Sequence, residues 1–271
     1  MRGLGWRLRR SILNLDWHLP EMCTLSIIEL GQGGYRAVQN RDEQRSRGLA
    51  YPPAWRTLDS GVRVQYPTDS DAGGTWIVVS DAGVTAGVLN FQTGGKSNPE
   101  ASRSRGEIPL MMIEHGDLES MLEMLEGLDL SVYACFTGFG VVNSGGGVRM
   151  LIVQWDGEDL HVVRRGGDDF EPVVVASSGL GDELVQGRVG LFDEMVAQDS
   201  SVESQDAFHW HRWDDEPEYS VMMSRRGART VSVTTIEVGV EVGGVGEPMM
   251  GYQEIPENDP AHDPVGAGML Q

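Results

Sequence analysis

Lysine is almost missing. Lys96 is the single one in 271 residues, and 21 basic side chains stand against 41 acidic ones, a formal charge of −20. A phosphate-neutralising surface needs clustered Lys and Arg, whereas here the arginines are interleaved with carboxylates, so nucleic acid is not an expected partner. Cysteine is equally scarce: Cys23 and Cys135 are too few for a disulfide framework, and a reducing, cytoplasmic compartment is the expectation. No apolar run approaches the roughly 20 residues that span a bilayer as a helix. The glycine cluster Ser144-Gly145-Gly146-Gly147 lacks the Lys of phosphate-cradling loops.

What is present is a core-forming share of apolar residues, 40%, in a chain of 29.6 kDa. Glycine, at 36 residues, is about twice its usual share of roughly 7%. It falls in short clusters, the pattern of tight turns between short strands.

Residues 1–22 read MRGLGWRLRRSILNLDWHLPEM. The start is basic, but Arg7, Arg9, Arg10 and Asp16 interrupt any apolar stretch and no small-residue cleavage site follows, so a secretory signal is not expected. Three readings stay open: a flexible or weakly amphipathic extension, a processed propeptide, or a start codon assigned too far upstream, with Met22 the true initiator. Loss of that Met would leave Cys23 at the chain's N-terminus.

Thr24–Leu30 alternates as a strand does, Gly31-Gln32-Gly33-Gly34 is turn chemistry, and Tyr35–Gln39 resumes an extended segment. In the resulting hairpin Cys23 is expected to face Asp42, to within one or two residues, with Arg41 beside it. Gln44–Ser60 reads as a polar loop, and Trp76–Ser80 with Val84–Asn90 as a second hairpin turning at Asp81-Ala82-Gly83. Residues 92–104 read as a surface loop. Met112, Ile113, Leu118, Met121, Leu122 and Leu125 recur at helical spacing, predicting one helix over 108–128 despite Gly116. Strands are expected at Val132–Val142, Arg149–Trp155, Leu160–Arg164, Val173–Ala176, Tyr219–Ser224 and Thr230–Val242, with a weaker helix at Leu184–Val202. Antiparallel hairpins with helices inserted in blocks predict an α+β or layered architecture. The simplest partition is an N-terminal extension over 1–21, one domain over 22–253, and a mobile polar tail over 254–271.

Met22-Cys23, Asn40-Arg41-Asp42-Glu43, Gly73-Gly74-Thr75-Trp76, Asn90, Ser104-Arg105-Gly106-Glu107, Thr230-Val231-Ser232 and Ile236-Glu237-Val238 occur in that order. The ordered set resembles the NRDE family, also called the transport and Golgi organisation family, from Met22 to about Val242. The resemblance implies an N-terminal-nucleophile (Ntn) hydrolase-like fold, a four-layer αββα sandwich of antiparallel sheets. In the related cysteine hydrolases that act on choloylglycine and penicillin V, an Arg and an Asp of the second strand lie beside the Cys. Carried onto this sequence, Cys23, Arg41, Asp42 and Asn90 are the catalytic candidates. Asn40, Trp76, Arg105 and Ser178 are the binding candidates, although for Trp76 a turn with a core tryptophan is the preferred role, and for Arg105 capping and surface solvation serve equally well. The family pattern of Leu-Ser-Asn after the central strands is replaced by Ala176-Ser177-Ser178-Gly179-Leu180, with Ser178 where Asn is expected.

The chemistry agrees with the hairpin. A thiol titrates near about 8.5 and an α-amino group near about 7.7 to 8.0, so an N-terminal Cys carries its own base. Arg41 would favour the thiolate, Asp42 would hold the ammonium, and the Asn90 amide would donate to an oxyanion. The expected reaction is hydrolysis of a small-molecule amide, with no cofactor. The alternative, which the resemblance also suggests, is a non-catalytic ligand-binding or trafficking protein that handles haem or a haem-like molecule. His209-Trp210-His211 would put two imidazoles on one face of a strand, but a structural role is preferred because no third ligand beyond Asp206, Asp214 and Asp215 is near in sequence.

Overall fold

The computed structural model describes residues 22–92, 101–144, 147–167, 170–178, 182–241 and 244–269. The chain opens with β1 (Met22–Leu30), in which Cys23, Leu25 and Ile27 face one way and Thr24, Ser26 and Ile28 the other. A single 3-10 turn, Gly31–Gly33, leads into β2 (Gly34–Gln44), and Gly33 takes φ +80°, where a side chain would be strained. The turn closes on Leu30 opposite Gly34, so the register pairs Cys23 with Arg41 and Thr24 with Asn40. This differs by one residue from the expected pairing of Cys23 with Asp42. In a strand that shift changes which side chain shares a face: Arg41 lies on the Cys23 side, and Asp42 turns its carboxylate the other way.

Further strands follow: β3 (Tyr51–Thr57), β4 (Arg63–Thr68), β5 (Ile77–Ser80) and β6 (Thr85–Asn90). Two helices, α1 (Ile108–Ile113) and α2 (Leu118–Glu126), stand where one was expected. Gly116 at φ +72° breaks the run, and Asp117 caps α2 by accepting from the Glu119 and Ser120 N–H groups. Then come β7 (Phe136–Ser144), β8 (Gly147–Trp155), β9 (Leu160–Gly166) and β10 (Val173–Ser178), followed by α3 (Gln186–Met195) and α4 (Val202–His209). The last elements are β11 (Ala228–Val238), β12 (Val240–Glu241), β13 (Gly244–Val245), β14 (Met249–Glu254) and α5 (Pro264–Gly268).

Among the described residues one antiparallel sheet runs β10-β1-β2-β11-β14 and another β3-β4-β5-β6-β7-β8-β9, with β12-β13 a separate ribbon. Leu25, Ile27 and Tyr35 of the first sheet pack against Ile77, Val79, Phe139 and Met150 of the second. The outer face of the second sheet is covered by Ile108, Met112, Met121 and Leu125 of α1 and α2. Phe192 of α3 and Phe208 of α4 cover Ile28 on the outer face of the first. The architecture is therefore α+β in four layers, α-β-β-α, as the resemblance implied.

Three expectations need correction. The polar stretch 44–60 contains β3, an edge strand whose largely exposed residues and Pro52-Pro53 hide its pairing with β4. Tyr219–Ser224 is not a strand: among its residues only Ser224 makes a bridge, to Arg229, although Val221, Met222 and Met223 are buried. The weak helix expected over 184–202 is α3 over Gln186–Met195 alone, and α4, capped by Ser201, begins where the expectation ended. Beyond Glu254, Ile255 and Asp263 are buried, and Asp263 accepts from both Arg45 Nη atoms and from Ser224 Oγ.

Candidate active site

A cavity of about 240 Å³ opens between the sheets at the head of β1. Cys23 and Arg41 reach it from the first sheet, Trp76 and Asn90 from the second, and Arg105 from the lead-in to α1, while Asp42 contributes to the lining with its carboxylate held on the helical side by Arg188. These six candidates come from five separate stretches of sequence and line one cavity. Cys23 is buried, with Ser177 of β10 on one side and Arg41 on the other. Asn90 ends β6 opposite Phe136. Arg105 donates to the Cys135 carbonyl at 3.0 Å.

The surroundings of Arg41 were not legible in sequence. Its guanidinium lies 4.4 Å from the Trp76 ring centre and donates to Glu43 at 3.1 Å and Asp69 at 2.5 Å. Arg47 shares both carboxylates. Burial alone would raise Asp69, but the Ala72 N–H, Arg47 and Arg41 outweigh it and hold its carboxyl below the usual range. The charge of Arg41 is thus matched locally by two carboxylates.

Asp42 is fully buried. Its Oδ1 accepts from the Thr230 hydroxyl at 2.6 Å and its Oδ2 from Arg188 Nη1 at 3.3 Å. Burial pushes its carboxyl up to about 6, against the pull of Arg188 and Thr230. Arg188 of α3 was missed: a lone arginine in a weakly amphipathic helix carries no sequence signal of its burial.

Two candidates lie elsewhere. Asn40 points into the helical layer, donating to the carbonyls of His209 and Val221 at 2.9 and 3.1 Å. Ser178 is buried at the end of β10, opposite Met22, with its N–H donating to Asp182; neither residue lines the cavity. His209 sits on α4, not on a strand. Its Nδ1 is 2.6 Å from Asn40 Oδ1 and its Nε2 is 2.6 Å from Ser26 Oγ. This has the outline of a nucleophile, a base and its orienting group, but all three are fully buried and none reaches the cavity. Burial, with Arg36 and Arg188 adding to it, lowers the imidazole to about 3, so the ring is neutral and serves as a structural link. His211 stacks edge-on against Trp213.

The fold places a buried cysteine at the head of an inner strand of a four-layer structure. The chain belongs to the Transport and Golgi organisation 2 family, whose model matches residues 22–199. No curated protein matches the sequence. Among solved structures, the Caenorhabditis elegans ortholog of N-acylethanolamine-hydrolyzing acid amidase is similar at 10% identity, with a TM-score of 0.47 over 79% of this chain and 92% of that one. Two variants of the conjugated bile acid hydrolase from Clostridium perfringens are similar at 12% identity. Their TM-scores are 0.49 and 0.48, over 86% of this chain and 92% and 97% of theirs.

Proposed function

We propose that this protein is an Ntn-type cysteine amidohydrolase that cleaves the C–N bond of a small, non-peptide amide in the cytoplasm, with Cys23 as the first residue of the mature chain. The observation that carries this reading is the convergence of Cys23, Arg41 and Asn90 on one polar cavity at the head of β1.

The Cys23 α-amine takes the thiol proton, and the sulfur attacks the amide carbonyl to form the S–C bond. The Asn90 side-chain amide donates to the oxyanion, an interaction whose loss elsewhere costs about 2.7 to 4 kcal/mol. Collapse breaks the C–N bond as the ammonium returns its proton to the leaving amine. Water, deprotonated by the same amine, then attacks the thioester, the S–C bond breaks, and acid and thiol are released. Extending the ladder by one residue sets Met22 opposite Asp42. An amine freed by loss of Met22 therefore falls beside that carboxylate. An acylated nitrogen is no base, so activity requires the chain to begin at Cys23.

Haem handling is less well supported. Among the described lining residues Cys23 is the sole side chain of the usual axial-ligand types, His, Met, Cys or Tyr. The volume of about 240 Å³ is also below the roughly 300 to 1,000 Å³ of pockets that enclose larger organic ligands.

The test is amine release from a panel of small N-acyl amides by three proteins: one starting at Cys23, the full chain, and Cys23→Ala. Turnover by the first alone is expected. Equal rates from the first and the Cys23→Ala protein would reject the mechanism.

A further inference from the structure

One buried cation stands behind the cavity, in a layer the reaction does not reach. Arg188 is fully buried on α3. Its Nη1 donates to Thr24 Oγ1 at 2.6 Å and to Asp42 Oδ2 at 3.3 Å, and its Nε donates to the Tyr219 carbonyl at 3.0 Å. Its Nη2 has no partner among the described residues. Thr24 follows the nucleophile directly, and Asp42 follows its cross-strand neighbour Arg41. One guanidinium therefore ties both strands at the point where Cys23 enters the cavity.

We propose that Arg188 is a positioning residue for the Cys23 nucleophile, clamping Thr24 and Asp42 so that the head of β1 and the carboxylate beside the α-amine keep one fixed geometry. The inference rests on the reading of Cys23 as the nucleophile and extends it to a residue that touches no substrate. A planar, permanently charged fork suits the task, because it grips a hydroxyl, a carboxylate and a carbonyl at once. Packing alone would be served by an apolar side chain of similar volume, without the cost of desolvating a charge.

The charged and titratable groups around Arg188 are Asp42 from β2, Cys23 from β1, Arg225 from the segment before β11, and His209 from α4. His209 is neutral and Arg225 is a second cation. Arg188 is therefore the cation that holds the Asp42 carboxylate from the helical side, with Cys23 within its electrostatic reach.

The experiment follows alkylation of Cys23 by iodoacetamide against pH, read by peptide mass spectrometry with Cys135 as internal reference, in protein that starts at Cys23. Arg188→Met is expected to move the midpoint of the Cys23 profile upward by about one pH unit, the usual effect of losing an adjacent opposite charge. Arg188→Lys, which keeps the charge without the planar fork, is expected to restore only part of that shift; full restoration would make Arg188 a charge and not a clamp, and would overturn the positioning role. Because Arg188→Met leaves Asp42 buried and unpaired and can fail to fold, the double variant Arg188→Met with Asp42→Asn is measured beside Asp42→Asn alone, and is expected to fold and to show the upward shift relative to that single variant. A midpoint unchanged between Arg188→Met and the parent, or between the double variant and Asp42→Asn, overturns the proposal. Should Cys23 in the parent react no faster than Cys135 at any pH, the nucleophile reading itself falls, and the positioning role with it.

Discussion

Cys23 and Arg41 stand directly opposite each other across the β1–β2 ladder, and both open onto the same cavity. Arg41 is buried between the Trp76 ring and the carboxylates of Glu43 and Asp69. Removing one partner of such a cluster leaves uncompensated charge. Arg41→Met is expected to lower stability by about 3 kcal/mol, measured by urea unfolding. An unchanged midpoint would mean that Glu43 and Asp69 are satisfied by Arg47 alone.

Two carboxyls give opposite pH signatures. Burial, with the Glu183 charge adding to it and the Ser178 N–H opposing, raises Asp182 to about 6. An unfolded Asp titrates near about 3.9. Its contribution to stability is therefore fully present below that value and lost as pH rises through about 6. Asp182→Asn is expected to be more stable than the parent at pH 7 and to have no advantage at pH 4. Asp263 behaves in reverse: burial alone would raise it, but Arg45 and Ser224 outweigh burial and hold its carboxyl far below the ordinary range. Its contribution is present above the unfolded value and lost as pH falls, so Asp263→Asn is expected to flatten the acid limb of the stability curve. Urea midpoints across pH 2 to 8 check both.

Gly74 packs the cavity wall against the lead-in to α1. A Cβ placed there would lie 2.7 Å from the Gly106 backbone, beside the hydrogen bond from Thr75 N–H to the Gly106 carbonyl. Backbone cannot move aside as a flexible side chain does. Gly74→Ala is expected to cost about 1 to 3 kcal/mol and to change the rate of Cys23 alkylation, measured by thermal melting and peptide mass spectrometry.

His209 tests the other side of the sheet. His209→Leu leaves the polar groups of Ser26 and Asn40 without their imidazole partner in a buried layer. It is expected to lose about 1 to 3 kcal/mol. Its folded fraction should keep the parent Cys23 alkylation rate, and a large change in that rate would give His209 a role in the site.

How much of this was legible in sequence depends on how local each signal is. The β1–β2 hairpin and the helical periodicity of Met112, Met121 and Leu125 announce themselves through alternation and spacing. The cavity residues were found because their motifs resemble a family. The exact register was not legible, because a glycine-rich turn permits both two-residue and three-residue closures, and only packing selects the 3-10 turn at Gly31–Gly33. Nor was the partner set of Arg41: Asp69 lies on a distant loop, and nothing in Pro67-Thr68-Asp69 marks it as a ligand for a guanidinium. Arg188 and Asn40 show the same limit, since the partners of a buried polar side chain are set by tertiary contact.

The most direct measurement is the intact mass of the protein purified from a native-like host. A mature chain beginning at Cys23 is the expected result, since only there do thiol and base belong to one residue. A mass showing Met22, or any residue before it, still attached in fully active protein would contradict the amine-assisted mechanism.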